Sequence, residues 1–268
     1  MKDKYLWYTD THFDKVAPWT LMRFIYHVVK QEPQGVFLTG DISTGPMLCF
    51  HLRFLARHIK CPIYFVLGNH DYHFTSMEKQ HEKIRVMCRE VPNLVWLTES
   101  DVVDLNHEVG LIGAEGWYDA RLGNPNYLKY TLDRFLTKEF RDLKTLGNQI
   151  EYFRELAAKS CILLEDKLEK ALAQDFKTVY ILTHFPPWKE ATRDVGKRLE
   201  KFWLPYNVNC GLGQMIETVM KDRKKRSVTV LAGHTHTDAW IHVARNIECK
   251  VNKAKYYGYL RNEEHIFI

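Results

Sequence analysis

The stretch that most constrains this chain is Tyr64-Phe65-Val66-Leu67-Gly68-Asn69-His70-Asp71, where an apolar run of strand length stops at a glycine and hands over three polar side chains. The same arrangement recurs in Leu6-Trp7-Tyr8-Thr9-Asp10-Thr11-His12, Val36-Phe37-Leu38-Thr39-Gly40-Asp41, Val179-Tyr180-Ile181-Leu182-Thr183-His184 and Val228-Thr229-Val230-Leu231-Ala232-Gly233-His234-Thr235-His236. Strands buried on both faces belong to sheets covered by helices, and such sheets offer their chemistry at the carboxyl ends of the strands. Here those ends present Asp, Asn and His. Between the first two runs, Leu21, Phe24, Ile25, Val28 and Val29 fall at helical spacing in the Pro18–Lys30 segment. A second helix starts at Ser43-Thr44-Gly45-Pro46, with hydroxyl caps and a first-turn proline, and runs to about residue 59. Since 29 positions separate His12 from Asp41 and 28 separate Asp41 from Asn69, each interval is one βαβ unit, and the three ends emerge side by side.

Past Asp71 the pattern predicts a helix over 75–90, then short strands at 94–97, 102–105 and 109–114 that pair antiparallel because their connections are brief. Residues 115–131 read as a loop. Two helices follow, over 132–146 and 148–175, the second with a core-facing stripe of Ile150, Phe153, Leu156, Ala157, Leu163, Leu164, Leu168 and Leu172. Phe185-Pro186-Pro187-Trp188 forbids regular structure, so 185–208 should wander over the surface near the fourth strand end. A helix over 211–224 precedes the fifth run, and strands at 239–244, 247–251, 256–260 and 265–268 complete a second sheet. Gly211-Leu212-Gly213 lacks the lysine of a phosphate loop and reads as a helix start. The expectation is a single domain over 1–268 with two groups of strands flanked by helices.

Asp10, His12, Asp41, Asn69, His184, His234 and His236 form a mixed imidazole, carboxylate and amide set that suits divalent metals of intermediate softness. Seven donors exceed one ion and suit two, roughly 3.5–4 Å apart and bridged by a carboxylate, the clamp of phosphoryl displacement. The series D-x-H, GD, GNHD, lone His and GHTH, running from Asp10 to His236, resembles the calcineurin-like metallophosphoesterase superfamily. That resemblance implies a four-layer αββα sandwich of two mixed β-sheets. It also implies that Asp10, His12 and His236 hold one ion, that Asn69, His184 and His234 hold the other, and that Asp41 bridges. His70 would steady transition-state charge or protonate the leaving oxygen, with Asp71 orienting its ring. Hydrolysis of phosphate mono- or diesters by in-line attack of a metal-bound hydroxide is the implied activity. The implied ions are divalent, Mn first and Fe second, with Zn, Co or Ni admitted by the same donors. The alternative is a non-catalytic binding scaffold of the same fold, which would lack His70 or a ligand.

The chain departs from the family pattern at Thr44, where many members carry an acidic residue, so the bonds that orient the ligands must come from elsewhere. No Arg follows the GD or GNHD segments as it does in protein phosphatases. A net charge of +5 permits an anionic partner without indicating nucleic acid, and the one dense basic run, Lys221 to Arg226, reads as the close of a helix. A nucleic-acid substrate would instead need a basic or aromatic track, for which Trp117, Tyr118, Arg121, Trp188 and Lys189 are the candidates. Six scattered cysteines without a C-x-x-C pair read as reduced thiols, and no apolar run is long enough to span a membrane. The expected location is cytoplasmic, and the oligomeric state stays open. Of the other histidines only His73, just past Asp71, is a candidate to touch substrate.

Overall fold

In the computed structural model, residues 3–192, 197–254 and 264–268 are described, with the backbone alone for 197–201. Strands β1 (Lys4–Tyr8), β2 (Gly35–Thr39), β3 (Ile63–Val66) and β4 (Leu94–Trp96) run parallel in one sheet. Helices α1 (Pro18–Lys30), α2 (Gly45–His58) and α3 (Met77–Glu90) make the crossovers. The second sheet holds β5 (Val103–Asp104), β6 (Val109–Gly113), β7 (Thr178–Leu182), β8 (Ser227–Ala232), β10 (Ile247–Val251) and β9 (Ala239–Ala244) in that spatial order. The last strand, β11 (Glu264–Phe267), returns to the first sheet and lies antiparallel to β1. Helices α4 (Asp133–Leu136), α5 (Lys138–Asp142), α6 (Leu146–Ala173), α7 (Lys197–Asn207) and α8 (Cys210–Met220) complete the described α-helices.

Alternation along the strands builds the layers. Leu6, Val36, Leu38, Ile63 and Phe65 point into an outer core with α1, α2 and α3, whereas Tyr5, Trp7, Phe37, Tyr64 and Val66 point inward. They meet Leu111, Leu182 and Leu231 of the second sheet there. Ile112, Val179, Ile181, Val228 and Val230 face the other way, onto α6 and α8. Three cores between four layers follow from a period of two residues per strand turn. The fold is therefore the αββα sandwich, two mixed sheets flanked by helices.

Five expectations need correction. Strand β4 pairs parallel with β3, because α3 is a full crossover between them, and only β5 and β6 form the expected antiparallel pair. Strand β11 joins the first sheet, not the second; the expected strand at 256–260 lies outside the described residues. The single helix over 132–146 is two short ones, broken where Thr137 is extended, and α6 starts at Leu146, with Gly147 in its first turn and Thr145 accepting from the Asn148 N–H. Within 185–208, α7 forms, while Phe185 and Trp188 are buried. The hydroxyl of Thr44 makes no capping bond, and the neighbouring Ser43 hydroxyl instead meets His51 Nδ1 at 2.8 Å.

Lys167, on α6, is buried and donates to the carbonyls of Leu97, Thr98 and Gly113. Burial pulls its ammonium down from 10.5 to about 8. Between those values the unfolded chain holds a proton here that the folded chain has released, so stability rises with pH across that window. The advantage of wild type over Lys167→Met is expected to grow between about pH 8 and about pH 10, by at most ~1.4 kcal/mol per pH unit. Urea titrations of both proteins at the two pH values measure it, and a shrinking gap would contradict it.

Candidate metal centre

Because β1, β2 and β3 are parallel in one sheet and β7 and β8 in the other, their carboxyl ends share one rim, and the loops beyond them interlock. Asp10 N–H donates to the Gly40 carbonyl at 3.1 Å and His12 N–H to the Asp41 carbonyl at 3.0 Å. The two sheets are tied at the same place: His184 Nδ1 lies 2.8 Å from the Thr39 carbonyl, and the His234 N–H donates to Asp10 Oδ2 at 3.0 Å. These loops are too tight for ordinary backbone. Asp10, His12, Asp41, His234 and His236 all take positive φ, between 40° and 68°. Left-handed backbone at such residues costs roughly 1–3 kcal/mol each and persists only where the surroundings enforce it. Two glycines allow the approach: a Cβ on Gly68 would sit 2.2 Å from Asp41 Oδ1, and one on Gly233 would sit 1.9 Å from Thr9 Oγ1.

All seven donors predicted from the sequence converge on this rim. Asp10, His12, Asp41 and His236 each offer one ligand atom, all within 4.8 Å of one another. His236 Nε2 lies 3.1 Å from Asp10 Oδ1, and His12 Nε2 lies 3.8 Å from Asp41 Oδ2. Thr9 Oγ1 donates to Asp10 Oδ2, the His234 N–H is shared between Oδ2 and Oδ1 at 3.0 and 3.2 Å, and Oδ1 also faces the His236 imidazole. The second group is Asp41, Asn69, His184 and His234. His184 Nε2 is 3.1 Å from Asn69 Oδ1 and 3.4 Å from Asp41 Oδ1.

The chemistry of these contacts tests whether a cation fits. A carbonyl can only accept, so the hydrogen of a neutral His184 sits on Nδ1, toward Thr39, and Nε2 carries a lone pair. The Asn69 amide is fixed in orientation by Nδ2, which donates to Asp133 Oδ1 at 2.9 Å and Tyr206 Oη at 3.0 Å. Its Oδ1 therefore presents lone pairs as well. These two acceptors face each other without a hydrogen between them, and with the Asp41 carboxyl beside them they form a cradle for a positive charge. Beside them, buried His234 Nε2 has no hydrogen-bond partner.

Electrostatics favours the same reading. Burial pushes the His12 imidazole down to about 3 and lowers His184 and His234, leaving the neutral rings that ligate metals. His236 is the exception: burial works against its charge, but the Asp10 carboxylate overrides that and raises it. Asp10 is held well below the carboxylate range because His236 outweighs the cost of burial. Asp41 goes the other way, raised by burial and by Asp10. Without a cation, the two buried carboxylates are in conflict.

His70 lies at the mouth of this cluster, with its Nε2 3.8 Å from Asp41 Oδ2 and its backbone N–H donating to Asp41 Oδ1 at 2.8 Å. Asp71 does not turn to the His70 ring. Its two oxygens accept from the Ser43 and Gly68 N–H groups, each at 2.8 Å, so it pins the β2 and β3 loops together. His73, a candidate for substrate contact, is 2% exposed; its Nε2 meets Asp133 Oδ1 at 2.7 Å and its ring centroid lies 4.4 Å from that of His70. Asp133 is the residue that sequence reasoning missed. It is fully buried and joins Asn69, His73 and the Tyr118 hydroxyl, a carboxylate beside a candidate ligand where Thr44 cannot supply one. Its only signal was an acidic residue opening the short helix Asp133-Arg134-Phe135-Leu136. Trp117, Tyr118 and Trp188 are core residues, so they form no aromatic track.

The model of the calcineurin-like phosphoesterase family matches residues 4–238. A search of curated protein sequences gave no match. Among solved structures, the chain is similar to a phosphopantetheinyl hydrolase from Mycobacterium tuberculosis, at 13% identity and a TM-score of 0.67 over 96% of this chain and 90% of that one. It is similar also to a dimetal phosphatase from Danio rerio, at 11% identity and a TM-score of 0.61 over 99% and 92% of the two chains. A third, TT1561 of Thermus thermophilus, aligns at 12% identity with a TM-score of 0.56 over 100% and 99%. At these identities the likenesses speak for the fold, whereas the family model spans most of the chain, its motifs included: the chain belongs to the calcineurin-like phosphoesterase family.

Proposed function

We propose that this protein hydrolyses phosphate esters with the help of two divalent cations, by in-line displacement. The observation that carries the proposal is the cradle of lone pairs formed by His184 Nε2, Asn69 Oδ1 and Asp41 Oδ1 next to the Asp10, His12 and His236 group. In this reading Asp10, His12 and His236 hold one ion, Asn69, His184 and His234 the other, and Asp41 is shared. Mn is the proposed metal, followed by Fe, with Zn, Co or Ni compatible with the donors. Two such ions would neutralise the phosphoryl oxygens and lower the pKa of coordinated water.

The chain's own residues do the rest. His70, at the mouth of the cluster, donates from its ring to the phosphoryl or leaving oxygen. Asp71 fixes the spacing of the Asp41 and Asn69 loops through backbone bonds, a positioning role. Asp133 and Tyr206 hold the Asn69 amide so that its oxygen faces the site. A non-catalytic scaffold would need neither the aligned donors nor the strained backbone that presents them. All six cysteines are free thiols, in keeping with a reducing compartment, and a cytoplasmic location is part of the proposal. No helix among the described residues is long and apolar enough to cross a membrane.

Metal-free protein reconstituted with Mn is expected to hydrolyse p-nitrophenyl phosphate or its bis ester, and comparison of the two decides between monoester and diester. His70→Ala should lower kcat by about 10²–10⁴-fold while the metal content stays unchanged; undiminished turnover would overturn the role given to His70. Asp133→Ala should weaken metal binding about 10–100-fold, read by titration against a chelator. Because Asp10 and Asp41 oppose each other without ions, Asp41→Asn should stabilise the metal-free protein by about 0.5–2 kcal/mol. The same change should abolish the rise in Tm on adding Mn; a variant that still responds to Mn would remove Asp41 from the bridging position.

A further inference from the structure

A cavity of about 430 Å³ opens beside His70, within the size range of small-molecule sites. Its composition is lopsided. Lys15 and His70 bring the charge and ring nitrogens, Thr131 a hydroxyl, and Tyr130, Leu132, Trp203 and Tyr206 the apolar and aromatic surface. Tyr206 belongs to both the cavity and the metal centre: its hydroxyl accepts from the Asn69 amide at 3.0 Å, and its ring centroid lies 4.5 Å from that of His234.

The walls are preassembled. The 3₁₀ turn Pro125–Tyr130 packs on α7 through Tyr127 and Tyr130, whose ring centroids lie 4.4 and 5.4 Å from that of Phe202. The Trp203 ring stands 5.9 Å from Tyr206. Both Tyr130 and Leu132 are more than half exposed, an unusual use of large apolar side chains beside a charged site unless something covers them.

We propose that this cavity receives a flat aromatic group on the alcohol portion of the phosphate ester, with Tyr130 and Trp203 stacking on it and Lys15 facing the charged end. A ligand that is anionic at one end and flat and apolar at the other matches this division. A phosphorylated serine or threonine side chain or a small polyol would leave the apolar walls unused. The inference rests on the phosphoesterase reading and adds a substrate class: aryl or nucleobase-bearing phosphates, which share the flat ring.

The test compares benzyl, cyclohexylmethyl and propyl phosphate on the Mn-loaded full chain. Their alcohols have similar acidity, so differences report binding and not leaving-group strength. A preference in kcat/KM of roughly tenfold for benzyl over each of the other two is expected, because offset stacking adds to area burial. Trp203→Ala and Tyr130→Ala should bring that ratio toward one, mainly through KM, and Trp203→Phe should retain most of it. Equal use of benzyl and cyclohexylmethyl phosphate by wild type, or a ratio unchanged in both alanine variants, would overturn the proposal. Adenosine 5′-monophosphate supplies the nucleobase arm: faster turnover than benzyl phosphate identifies a nucleotide, slower turnover a simple aryl ester. If no ester is hydrolysed, the hydrolase reading fails, and calorimetry of benzylphosphonate against propylphosphonate then decides the cavity by itself. Tighter binding of the aromatic phosphonate, lost in Trp203→Ala, upholds it; equal binding or none refutes it.

Discussion

The Asp41 carboxylate is the contact on which the rim is built. Its oxygens meet the His70 N–H, His184 Nε2 and His12 Nε2, its backbone carbonyl receives His12, and its amide stands where a side chain on Gly68 would be. Loops from both sheets thus close around a single buried acid. Without positive charge the arrangement is unfavourable, because burial and Asp10 both resist its ionisation. The fold tolerates this conflict because three apolar cores hold the strands fixed while the loops carry the strain. Stability lies in the layers, and chemistry lies where the layers end.

The donor set was legible in the sequence because each member directly follows a buried strand, and a strand's direction fixes where its last residue goes. Asp10, Asp41, Asn69, His184 and His234 needed no knowledge of side-chain packing to be placed at one edge. The order of predicted strands and helices likewise foretold two groups of strands with helices outside. What escaped was anything decided between elements distant in sequence. Pairing partners are one case: β4 is followed closely by β5, yet it pairs back across α3 to β3. No local pattern distinguishes a short reversal from a step between sheets.

Asp133 and the cavity wall escaped for the same reason. A carboxylate in a broken stretch of helix carries no sequence mark that it will reach Asn69, 64 positions away. The aromatic residues singled out in the loops, Trp117, Tyr118 and Trp188, proved to be core, and those that line the cavity, Tyr130, Trp203 and Tyr206, sit in segments read as loop. Composition identifies which rings are available; only packing decides which face outward. Asp71 makes the point at atomic scale, since its position beside His70 predicted a ring partner and its oxygens serve two backbone amides instead.

The return of β11 to β1 has a consequence for how the molecule comes together. Strand β1 delivers Asp10 and His12, yet its outer neighbour is a segment some 260 positions later in the chain, paired from Lys4↔Phe267 to Trp7↔Glu264. Until that segment arrives, β1 is an edge with unsatisfied backbone groups, and Ile266 is missing from the core between the sheets. Contacts of such separation are late to form and slow the search for the native state. During synthesis, then, the strand that carries Asp10 and His12 waits without this partner until some 260 further residues have been made, a window in which a chaperone or a neighbouring nascent chain can compete for it.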